Sequence, residues 1–158
     1  MRRLLPAAAL TVVLTACGAW SATPAKSGPM TARASLGNMT LEVFPATLKA
    51  GDTASISLTV TGPADYESGC VRPLQVWVVG PDGKVAWTEP VPEVACMAIM
   101  NAHLADGQAA TFGASWPVAA SLAPGTYTIH GLFLYTLRPG AATRVRENLP
   151  VVDVQISG

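Results

Sequence analysis

A chain of 158 residues, half of them hydrophobic and 13% charged, has the length of one folded domain with some chain to spare. Its 10 basic and 10 acidic side chains cancel, and no basic stripe remains that would argue for nucleic-acid binding. Three cysteines and two histidines bound the metal and nucleophile chemistry available to it.

The N-terminus runs Met1-Arg2-Arg3, then the apolar stretch Leu4 to Leu14, then Thr15-Ala16-Cys17. A charged start, a short apolar run and small residues at a cut make a secretory signal peptide. The apolar run is too short for a spanning helix, which needs about 20 residues. Leu14-Thr15-Ala16-Cys17 also resembles the bacterial lipobox. That resemblance implies cleavage before Cys17, removal of residues 1–16 and a diacylglyceryl group on the Cys17 sulfur. The alternative is an ordinary signal peptide with a cysteine beside the cut. Each buried methylene of a lipid chain contributes about 0.8 kcal/mol, so a stable anchor needs more than one chain. An anchored protein would sit on the cell membrane or the outer membrane, its domain outside the cytoplasm. Loss of Arg2 and Arg3 leaves 8 basic against 10 acidic side chains, a net of −2.

Residues 17–35 follow as lipidated cysteine and tether. Gly18 to Ser35 is rich in Ala, Ser, Thr, Pro and Gly and has no hydrophobic period. Fully extended, such a stretch reaches at most ~60 Å.

Residues 36–158 are expected to form one domain. Met39, Leu41 and Val43 alternate with polar residues, and Pro45 to Asp52 turns the chain. Ile56, Leu58 and Val60 alternate with Ser55, Ser57, Thr59 and Thr61, the signature of a half-buried strand ended by Gly62-Pro63. Leu74 to Val79 is more continuously apolar and is expected to be central, and Pro81-Asp82-Gly83 turns it into a short strand over Lys84 to Thr88. Further strands are expected over Met97 to Leu104, Gln108 to Trp116, Thr126 to Leu137 and Pro150 to Ser157. No segment joins a 3.6-residue period to helix caps. The expected fold is all-β: an antiparallel two-sheet sandwich, immunoglobulin-like, of about seven to nine strands.

Cys70 and Cys96 remain after Cys17. An even pair in an exported chain favours a disulfide over two free thiols. Closing a loop of 26 residues stabilises by roughly 3 to 4 kcal/mol.

Two stretches carry a family resemblance. One is Gly80-Pro81-Asp82-Gly83-Lys84-Val85-Ala86-Trp87; the other is Leu122-Ala123-Pro124-Gly125-Thr126-Tyr127-Thr128-Ile129-His130-Gly131. Leu104-Ala105-Asp106-Gly107-Gln108 and the strand ending at Trp116 lie between them. In order and spacing, residues 40 to 137 resemble the BsuPI-like domain, a small β-sandwich named for an intracellular proteinase inhibitor. The resemblance implies a sandwich and, beyond it, protease inhibition. A lipobox and a cysteine pair set this chain apart from the founding inhibitor. Tyr127, at the start of its strand, is suited to a tyrosine corner, ring buried and hydroxyl bonded to nearby backbone.

Chemistry is sparse. Any catalytic histidine must be His103 or His130, no Gly-x-Ser-x-Gly elbow occurs, and no carboxylate pair is marked out. No enzyme and no cofactor are expected. Met97, Met100 and His103 recur every three residues, and two thioethers with an imidazole suit Cu(I). On a strand, though, Met100 faces away from the other two, and core methionines with an edge histidine give the same pattern. The loop Glu89-Pro90-Val91-Pro92-Glu93 is the candidate partner-binding surface. Its prolines fix φ and reduce the entropy lost on binding; in the bland alternative they only block edge pairing in an inter-sheet connection. The reading favoured is a membrane-anchored, non-catalytic module binding an unknown protein, a protease among the candidates, with a structural or assembly lipoprotein as the runner-up.

Overall fold

The computed structural model describes residues 29–69, 72–91, 99–137 and 145–158. Within them lie twelve strands and no helix, arranged as two packed sheets.

Simple alternation builds the first sheet. Its four strands, in spatial order, are β1 (Ala32–Leu36), β2 (Met39–Phe44), β4 (Thr53–Thr61) and β9 (Ala109–Pro117), all antiparallel. Met39, Leu41 and Val43 of β2 and Ala54, Ile56, Leu58 and Val60 of β4 are buried, while the intervening serines and threonines face outward. Each fully buried Leu, Ile or Val contributes about 1.5–3 kcal/mol relative to exposure. Gly37, with φ 59°, turns β1 into β2.

A single long strand, β10 (Gly125–Leu137), organises the second sheet. Along one edge it pairs first with β12 (Val152–Ser157) and then with β11 (Val145–Asn148). Along the other it pairs first with β6 (Leu74–Val79) and then with β5 (Ala64–Gly69). β7 (Val85–Thr88) flanks β6, and β8 (Ile99–Leu104) flanks β5. Three lanes of this sheet are therefore shared or continuous around β10, with β3 (Thr47–Lys49) outermost beside β12 and β7 with β8 outermost on the opposite side. Glycine is required in the middle of β10: a Cβ on Gly131 would strike the Gln75 carbonyl oxygen and come within 2.6 Å of Leu149, which is buried over it.

The expectation of an all-β two-sheet sandwich holds, with two corrections. The strands are more numerous than seven to nine because β5 and β6, β7 and β8, and β11 and β12 each divide one lane between two elements. The ladders are also not all antiparallel, since β3 runs parallel to β12. Instead of only turning, the segment after β2 crosses to the second sheet; the Ala46 carbonyl accepts from the Gln155 amide (2.9 Å), and Leu48 is buried. Residues 32–35, included in the tether by their composition, form most of β1.

Between the sheets, β9 lies over β6 and β1 over β12. Tyr66, Phe112, Phe133 and Tyr135 form an aromatic chain with successive centroids 5.1, 5.0 and 4.7 Å apart. Trp116 is fully buried beside Tyr127, and its indole Nε1 has no hydrogen-bond partner among the described residues.

Candidate functional site

The region around Glu89 is fixed by short-range rules and then by one long-range pair. Pro81 to Gly83 turn β6 into β7: the Gly83 amide donates to the Gly80 carbonyl (3.0 Å), the Gly80 amide to the Lys84 carbonyl (2.8 Å), and Gly83 takes φ 77°. Trp87 then packs against the core. The ladder continues past the end of β7, because the Glu89 amide donates to the Val76 carbonyl (2.9 Å). Glu89 thus shares the inward parity of Trp87. Its side chain is only 11% exposed, and Oε1 accepts from Arg72 Nη1 at 2.7 Å.

Immediately beyond this clamp the chain is presented to solvent. Pro90 is exposed and Val91 is 79% exposed. Of the five loop residues singled out from the sequence, Glu89 is tied into the fold, Pro90 and Val91 face outward, and Pro92 and Glu93 lie outside the described residues. Cys17, Cys70 and Cys96 also lie outside them.

An open groove of about 490 Å³ runs beside this clamp, lined by Arg72, Glu89 and Pro90 and by Gly113, Ala114 and Ser115 of β9, with Ser55 of β4 opposite Ser115. β9 was expected only as a strand, not as part of a site. The available signal was its composition: nine residues with no charge and a glycine at the centre.

The metal candidates are not brought together by the described residues. Met97 lies outside them, as does the side chain of Met100. His103 Nδ1 lies 2.6 Å from Asp65 Oδ1, its directly opposite neighbour on β5, in an exposed pair. No group of three or more His, Cys, Asp or Glu side chains suited to a metal occurs among the described residues. His130 is on the outer face of the second sheet, half-buried and stacked on Trp77 with centroids 5.9 Å apart and planes 9° from parallel. Tyr127 is buried and its hydroxyl donates to the Ala123 carbonyl at 3.0 Å, a tyrosine corner. No helix among the described residues is long and apolar enough to cross a membrane.

The architecture defines the class: an all-β two-sheet sandwich with one loop clamped at its root. No family model matches the chain. No curated protein matches it. Among solved structures it is similar to the crystal structure of the C-terminal domain of Wzt, with 15% identity over 83% of this chain and 80% of that one and a TM-score of 0.48.

Proposed function

We propose that the protein is a non-catalytic lipoprotein of the cell envelope, anchored through Cys17, whose sandwich binds another protein through the loop that starts at Glu89. Protease inhibition is the most specific form of this reading and rests on the BsuPI-like resemblance. The observation that carries the binding reading is the contrast within three consecutive residues: Glu89 is clamped by Arg72, while Pro90 and Val91 project into solvent. A loop held at its root and stiffened by proline loses little conformational entropy on binding, and an exposed apolar side chain beside it supplies contact area.

A disulfide between Cys70 and Cys96 would hold the far end of the same loop. The β5–β8 ladder ends at Gly69 opposite Ile99, one residue before Cys70 and three after Cys96, so both cysteines belong to the chain just beyond that end. The test is affinity capture from solubilised envelope with the full anchored chain, in parallel with Pro90→Ala and Val91→Ser variants. A partner recovered by the native chain and lost with both variants is the expected result. Equal recovery by all three removes the loop from the site. Inhibition assays against purified envelope proteases then separate an inhibitor from a scaffold.

A further inference from the structure

We infer that the groove beside β9 is a strand-addition site, in which an extended, uncharged peptide segment of the bound protein joins the first sheet as its fifth strand. This rests on the protein-binding reading and names how the partner is held.

Three observations on β9 lead there. Hydrogen-bond parity is the first. Beyond one end of the β4–β9 ladder the Gly62 amide donates to the Gln108 carbonyl (2.7 Å); beyond the other, the Val118 amide donates to the Asp52 carbonyl (2.8 Å). Even-numbered residues therefore bond β4, and the backbone groups of Ala109, Thr111, Gly113 and Ser115 point away from it. Among the described residues no strand pairs with that edge.

Second, the sequence of β9 itself carries little of the usual edge protection. β9 carries no charge along nine residues, its register with β4 is unbroken by any bulge, and its only proline is Pro117 at the end. Third, Gly113 is unexplained by the fold itself. It weakens a strand to carry glycine at its centre, and such a residue often marks the close approach of another backbone. A Cβ at Gly113 would meet only the Ile56 carbonyl oxygen, at 3.9 Å, and its φ is not left-handed. Among the described residues nothing requires glycine there.

The surroundings decide what fits. Because β9 lies over β6, the lane of β7 projects one strand further out, and the Arg72–Glu89 pair lines the space beside β9. A second copy is ill suited to it. Symmetric antiparallel pairing of two β9 strands sets both second sheets on the same side, and each projecting β7 would run into the other molecule. A single extended segment has no such conflict. The one ion pair in the groove is already neutral, so a charged inward side chain would be buried without a partner. The occupant is therefore an uncharged strand with small or apolar inward residues.

The test reads backbone amides of the full chain by hydrogen exchange, with and without a panel of blocked, uncharged hexapeptides of alternating valine and threonine or valine and serine. Binding in the groove slows exchange at Thr111, Gly113 and Ser115 by ~10-fold or more and leaves Arg33 and Ser35 on the opposite edge unchanged. Gly113→Pro removes a donor that faces away from β4, so it abolishes this protection while the circular dichroism of the fold persists. If that variant does not fold, the peptide measurement on the unaltered chain decides. No slowing on β9 with any peptide, or equal slowing on β1, overturns strand addition. An envelope partner that still binds Gly113→Pro but is lost with Val91→Ser also overturns it, and leaves the protein-binding reading standing.

Discussion

Arg72 and Glu89, 17 positions apart in sequence, meet through Nη1 and Oε1 at 2.7 Å and join the chain entering β6 to the chain leaving β7. Glu89 is nearly buried and Arg72 is 58% exposed, so solvent screens part of the attraction. Arg72→Ala is expected to lower stability in urea unfolding by roughly 1 kcal/mol, the scale of a partly screened charged hydrogen bond. Glu89→Gln keeps a hydrogen-bond acceptor facing Arg72 and should cost less than Arg72→Ala. Equal stability of the native chain and Arg72→Ala would mean the clamp holds nothing in place.

Gly131→Ala tests the packing at the middle of β10. The new methyl would have to displace both the Gln75 backbone and the Leu149 side chain, and backbone cannot swing aside as a side chain can. The loss should fall at the upper end of the about 1–3 kcal/mol typical of overpacking, read as a lowered thermal midpoint. Gly113→Ala, on a strand with open space at the Cβ, is expected to be neutral or mildly stabilising in the same measurement.

Acid should loosen the β6–β7 turn. The Lys84 amide donates to Asp82 Oδ1 (3.1 Å), and this bond, helped by the Lys84 ammonium, holds the Asp82 carboxyl below its usual 3.8. A depressed folded value means that the contribution is present above the unfolded value and lost as pH falls through the folded one. The Lys84 amide signal should therefore stay constant from neutral pH down to about pH 4 and shift below it. Asp82→Asn should remove that titration. A midpoint above 3.8 would contradict the assignment.

Intact mass before and after reduction tests the cysteines together. The expected species begins at Cys17, carries acyl chains and gains two hydrogens on reduction. Cys70→Ser should then lose roughly 3 kcal/mol of stability under oxidising conditions. An unmodified full-length mass unchanged by reduction would remove the anchor and the bridge at once.

Strands with apolar residues on alternate positions are legible in the sequence, and β2 and β4 are the clearest because polar side chains separate every buried residue. β1 is hidden because its half-buried positions are Ala32 and Ala34, indistinguishable from the alanines of a tether. β3 is hidden because only Leu48 marks it, and one apolar residue has no period. Tyr127 could be read because a tyrosine corner is a local motif, bonding four residues back. The clamp could not: nothing near Glu89 in the sequence points to Arg72. The edge of β9 is a property of sheet order, and sheet order depends on contacts between distant segments.

A tether preceding the domain would enter it at β1, and the edge of β9, unpaired among the described residues, is the far border of the same sheet. Three ladders separate them, a width of ~14 Å at ordinary strand spacing. In an anchored protein, any pull between the lipid and a partner seated on β9 would run across the strands. Antiparallel ladders loaded that way open one hydrogen bond after another, like a zip, instead of shearing all at once. The grip on a partner would then yield gradually under tension.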